Sequence, residues 1–113
     1  METCKDINQV AMNIIMDAGD ARNAITEALT AMGMNNFAMA AQKIVEAQDR
    51  IKSAHINQTN VIQSEIRGEA FVPSLLFTHA QDTLMTINSE LLLSKQLLKL
   101  FSMVDTRFKK LEH

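Results

Sequence analysis

His79 and Asp82 stand three residues apart in the segment Phe77-Thr78-His79-Ala80-Gln81-Asp82-Thr83-Leu84-Met85, which lies within an apolar run that reads as helix. On a helix, that spacing sets a carboxylate beside an imidazole on neighbouring parts of one face. Neutral imidazole near pH 7 is a nucleophile, a proton shuttle or a metal ligand. His79 is therefore a candidate phosphoryl acceptor, acid–base group or ligand. The competing reading is a half-buried histidine that only completes a hydrogen bond, since isolated titratable groups point to function only statistically.

The elements that must hold this pair are helical throughout. From about Asp6 to Met32, apolar residues recur at Ile7, Ala11, Ile14, Ala18, Ala21, Ile25, Ala28 and Met32. Steps alternating between four and three mark a helix face. Gly19 interrupts the helix formers and predicts a close backbone approach or a bend. Met32-Gly33-Met34-Asn35-Asn36 then supplies a C-terminal glycine and an asparagine to cap the next helix. A second stripe follows Ala40, Ile44, Ala47, Ile51, Ala54, Gln58, Val61 and Glu65, turning polar toward its end. The chain turns through Arg67 to Val72, and Pro73 suits the first turn of a third helix that runs to about Lys109. The third helix directs Phe77, Ala80, Leu84, Ile87, Leu91, Ser94, Leu98 and Phe101 to the core, while Leu75, Leu92, Leu93, Leu97, Leu100 and Val104 spread beyond one seam.

These stripes predict an all-α fold, an antiparallel three-helix bundle. A lone bundle leaves part of helix three uncovered, so the surplus predicts assembly through that helix. The alternative is a broad inward stripe on the most central helix. A hairpin of helices two and three about residue 70 brings Gln58 near Asp82 and predicts a polar layer of His55, Gln58, His79 and Asp82. That spacing is too loose for a metal signature.

With 113 residues the chain is one domain. Its apolar 47% is mostly Ala, Leu, Ile and eight Met, with no Trp or Tyr, a helix-forming palette. A net charge of −2 with both signs interspersed argues against nucleic acid as a partner. No run approaches a transmembrane span of about 20 apolar residues, and the start lacks a signal-peptide core, so a cytoplasmic location is expected. The single Cys4 is read as incidental. Leu111-Glu112-His113 reads as the remnant of a purification tag, placing the domain at residues 1–110. Two functional classes compete: a carrier with chemistry at His79, and a non-catalytic helical adaptor in which His79 and Asp82 are interface groups. A carboxylate-bridged metal enzyme is disfavoured because no Glu-x-x-His pattern is present.

Ala18-Gly19-Asp20-Ala21-Arg22, Ala54-His55-Ile56-Asn57-Gln58-Thr59, Leu75-Leu76, His79-Ala80-Gln81-Asp82 and Leu84-Met85 occur in that order. Together, from about residue 5 to 105, they resemble the lactose/cellobiose (chitobiose)-specific enzyme IIA family of the bacterial phosphoenolpyruvate-dependent sugar phosphotransferase system. The resemblance implies three-helix chains that form homotrimers. It implies that His79 takes a phosphoryl group from the histidine-containing phosphocarrier protein and passes it to a cysteine of the cognate enzyme IIB. It implies that three copies of Asp82 meet at the trimer axis around a divalent metal ion, Mg2+ being the expected species, and that Gln81 sits beside the active imidazole. Oxygen ligands and a hard cation would offset the repulsion of three carboxylates. The sequence has Thr83 where the family usually carries a second histidine, which leaves the nucleophile intact and unsettles any role given to that second ring. No Gly-rich phosphate loop is present. Leu75, Leu76 and Met85 form an apolar collar suited to docking partners, although core filling is the ordinary role of any one methionine.

Overall fold

The computed structural model describes residues 7–69 and 74–112. Within them the chain forms three helices and no strand: α1 Ile7–Gly33, α2 Phe37–Ile66 and α3 Leu75–Leu111. The first predicted stripe is the buried face of α1, where Ala11, Ile14, Ala18, Ala21 and Ala28 are fully buried. α1 runs without interruption through Gly19, and no close neighbour approaches it, because a Cβ placed there would meet nothing within 4 Å.

The α1–α2 turn uses a different residue from the one expected. Gly33 ends the helix with an ordinary backbone, and the left-handed position falls to Asn35 at φ 60°. Asparagine tolerates that region because its short side chain bonds locally. The Asn36 amide donates to the Ala31 carbonyl at 2.9 Å, while its side chain accepts from Met39 N at 3.1 Å and caps α2. At the far end Gly68, at φ 82°, lets the Glu69 amide reach the Ser64 carbonyl at 3.1 Å and close α2. Ser64 is buried where the stripe had pointed to Glu65, which is exposed. Pro73, Cys4 and His113 lie outside the described residues. Ser74 caps α3, accepting from Phe77 N at 3.2 Å.

Asp17 meets Ser53 and Glu27 meets Lys43, so α1 and α2 run antiparallel. Asn8 meets Ser74 and Arg22 meets Glu90, so α1 and α3 run parallel. α1 packs along both other helices, which touch each other less. The most central helix is thus α1, and centrality does not account for the broad apolar surface of α3. Because Arg22 is level with Glu90, α1 ends near Phe101, and α3 continues beyond it for about ten residues, roughly 15 Å. Phe101, assigned to the core by its spacing, is therefore 49% exposed. No helix of the described residues is long and apolar enough to cross a membrane.

Candidate functional site

α3 buries one narrow stripe. Phe77, Ala80, Leu84, Ile87, Leu91 and Ser94 face the core, with Ala80 and Leu84 fully buried. The polar residues between them are sorted by the turn of about 100° per residue. Asp82 emerges about opposite the core. His79 lies about 60° from Asp82 toward the flank of Thr83, and Gln81 about 100° from it on the other flank. Glu90 follows Thr83 by two turns on the same flank and bonds Arg22 of α1, so the Thr83 flank looks toward α1. The row of Gln81, Asn88 and Lys95 is half-buried on the side of α2.

His79 and Asp82 are both exposed, and neither makes a side-chain hydrogen bond or ion pair within the described residues. A histidine kept for packing or for one structural hydrogen bond would show the reverse. The ring is instead carried on a rigid outer surface fixed at two points. Ser74 bonds Asn8 five residues before it, and Arg22 holds Glu90 through a two-bonded fork at 3.0 and 2.7 Å eleven residues after it. Glu90 in turn raises the Arg22 guanidinium pKa, by hydrogen bond first and by charge second.

The predicted polar layer does not form. His55 and Gln58 are half-buried on α2 and lie within about a turn of the level of His79 and Asp82, but those two residues point out of the bundle. No described hydrogen bond joins the four. Gln81 is also not beside His79 within one chain, since residues two apart leave a helix on different sides. Thr83 is half-buried, one turn beyond His79.

Asp82 belongs to a row that inward-facing periodicity hides. Leu75, Thr78, Asp82, Met85, Ser89, Leu92, Gln96, Lys99 and Met103 are all exposed, and their spacing alternates between three and four. This is a second heptad seam on the back of α3. It includes Leu75 at 87% exposure, Met85 at 63% and Leu92 at 55%, so the predicted collar residues Leu75 and Met85 stand free, whereas Leu76 packs against the core. Within the described residues of one chain, no three His, Cys, Asp or Glu side chains gather in a way that could hold a metal ion. Asp82 contributes one hard oxygen donor group, and it belongs to no such group of described side chains.

The family model for the lactose/cellobiose-specific IIA subunit of the phosphotransferase system matches residues 9–102. A lactose-specific EIIA component of Staphylococcus epidermidis is 38% identical over 94 residues, covering 83% of this chain and 86% of the relative. A lichenan-specific phosphotransferase enzyme IIA component of Bacillus subtilis is 29% identical over 100 residues, 88% of this chain and 91% of the relative. In three dimensions the chain resembles the crystal structure of the cellobiose-specific enzyme IIA of Bacillus anthracis, with a TM-score of 0.82 and 35% identity over 87% of this chain and 90% of that one.

Proposed function

Because this chain belongs to the lactose/cellobiose-specific IIA family of the sugar phosphotransferase system, we propose that it is a phosphoryl carrier whose acceptor is His79. The observation that carries this reading is an imidazole with no side-chain hydrogen bond among the described residues, exposed on a braced helix in a stretch that resembles the family.

The transfer needs little beyond positioning. The donor is the phosphohistidine of the histidine-containing phosphocarrier protein. The unprotonated ring nitrogen of His79 attacks phosphorus, the donor P–N bond breaks, and its electron pair returns to the donor ring. In the onward step a cysteine thiolate of enzyme IIB attacks, an S–P bond forms, and His79 recovers its lone pair. The sugar taken up is of the β-disaccharide class, the lactose, cellobiose or chitobiose type, in keeping with the lactose-specific and cellobiose-specific relatives, and the carrier works in the cytoplasm.

The working form is a homotrimer about the outer seam of α3. The exposed heptad supports this, because Leu75, Met85, Leu92 and Met103 give an association surface that the three-helix core leaves uncovered. Three copies of Asp82 then approach one axis, and their carboxylates would hold a divalent cation, Mg2+ by its preference for hard oxygen ligands. Such an ion would supply charge neutralisation at the axis.

Incubation with phosphoenolpyruvate, enzyme I and the phosphocarrier protein should add one acid-labile phosphoryl group per subunit by intact mass. His79→Ala should abolish it with helical content unchanged, and His55→Ala should keep it. A label that survives His79→Ala and disappears in His55→Ala overturns the assignment.

A further inference from the structure

The far end of α3 carries a surface that neither the core nor the site at His79 uses. Beyond Phe101 the helix has no α1 beside it, yet it keeps the core spacing. Phe101, Val104 and Phe108 are 49%, 42% and 61% exposed, and with Phe37 they line an open cleft of about 330 Å³. Met34, in the neighbouring α1–α2 turn, is 75% exposed at the same end. Val104 and Phe108 lie beyond residues 9–102, the stretch that the family model matches, so the family's shared features do not account for them.

Charge sets this tip apart from the rest of the chain. From Val104 to Lys110, the cations Arg107, Lys109 and Lys110 stand against Asp105, a balance of +2 in a chain of net −2, which leaves −4 elsewhere. Asp105 holds Lys109 at 3.1 Å, but Arg107 and Lys110 are exposed and make no ion pair among the described residues. Viewed down the helix, Val104, Phe108 and Phe101 fall within about 60° of arc. Arg107 borders that arc about 60° from Val104, and Lys110 follows about 60° further round. Apolar side chains bordered by cations are the pattern of a helix held at a lipid–water boundary, with rings at the acyl margin and cations among anionic headgroups. We infer that the tip of α3 docks the protein on an anionic lipid surface. The contact is peripheral, since no helix of the described residues is long and apolar enough to cross a membrane. A second copy fits the face less well. Half-exposed, the three apolar side chains offer roughly 300 Å², short of the about 800 Å² per partner of a stable protein interface, whereas each cation near an anionic surface strengthens lipid docking several-fold. His79 lies 29 residues back along α3, roughly 44 Å away, and stays clear of the lipid. In the trimer proposed above, three parallel copies of α3 would present three tips at one end, and weak contacts made together hold more firmly than one.

Sedimentation with lipid vesicles tests the docking. At low salt the full chain should pellet with vesicles of phosphatidylglycerol and phosphatidylcholine in equal parts, and at least tenfold less with phosphatidylcholine alone. Added salt should release it. Arg107→Glu combined with Lys110→Glu should keep the helical content and the mass in light scattering, because both positions are exposed, and should weaken binding to the anionic vesicles at least tenfold. Phe108→Ser should weaken it as well. Wild-type protein that stays in the supernatant with the anionic vesicles overturns the inference, as does equal binding to both kinds of vesicle or a charge-reversed variant that pellets like the wild type. Light scattering without lipid decides whether another copy covers the face. Wild-type particles that grow beyond the trimer with concentration and are dispersed by Phe108→Ser would assign the tip to self-association and overturn lipid docking.

Discussion

Replacing Asp82 by leucine separates the axial placement of this residue from a merely exposed one. In the single chain Asp82 is solvated and unpaired within the described residues, so the exchange at an exposed helix position should change stability little. In the proposed trimer three carboxylates would converge. At separations of about 4 Å, as sharing one ion requires, and an effective dielectric constant of about 20, each ionised pair would repel by about 4 kcal/mol, or about 12 kcal/mol for the three pairs. A bound divalent ion offsets that repulsion, and burial adds a desolvation cost. Leucine removes both and extends the apolar seam of Leu75, Met85 and Leu92. Thermal unfolding at several protein concentrations, with and without a chelator, reads the result. The wild type should lose stability on chelation, whereas Asp82→Leu should melt at the same or a higher temperature and ignore the chelator. A melting temperature several degrees lower, or dissociation of Asp82→Leu to monomers in light scattering, would refute the placement.

Gly19→Ala should stabilise the chain by about 0.5–1 kcal/mol, measured as a higher urea midpoint, because the helix is regular there and nothing lies within 4 Å of the added Cβ; a lower midpoint would show that another surface approaches α1 at that point. Lys43 has its pKa raised by its hydrogen bond to Glu46 and then by the charge of Glu27. A raised lysine pKa means that the contribution of these pairs is complete below the ordinary lysine range and disappears as pH rises through the folded-state value. Lys43→Met should therefore lose less stability than the wild type when pH is taken from neutral to above that range, by an amount that added salt reduces. An equal loss in both proteins would show that these ion pairs contribute nothing.

The helices were legible because α1 and α2 declare themselves through alanine and isoleucine at steps of three and four, with Gly33 and Gly68 close to the actual breaks. Their depth was less so. Phe101 keeps the core spacing but lies where α1 has ended, a fact about relative helix lengths and level that one helix's pattern does not contain. The left-handed residue at the first turn depends on which backbone amide reaches the Ala31 carbonyl, and asparagine competes with glycine for that role. The predicted polar layer failed for a related reason. Level along the bundle was nearly right for Gln58 and Asp82, but level says nothing about facing, and Asp82 faces away from α2. The resemblance pointed to His79 and Asp82 as a functional pair, whereas their separation from Gln81 is a consequence of helical geometry alone.

The division of labour among the helices explains why such a pair survives on the outside of a small bundle. α1 lies between its neighbours with Ala11, Ala18, Ala21 and Ala28 fully buried, and small side chains permit short distances between helix axes. With α1 as the hub, α3 needs only one stripe to stay attached. Arg22 with Glu90 and Asn8 with Ser74 then fix its rotation as well as its position. A helix held in this way can keep an apolar seam and a carboxylate on its back without sacrificing the core. Had α3 been the central element, burial on both sides would have required Asp82 to be neutralised within the chain and would have closed His79 to any partner. The exposed back of α3 is thus the surface on which the proposed assembly and phosphoryl exchange would share one helix, with Asp82 on the seam and His79 one shoulder away from it.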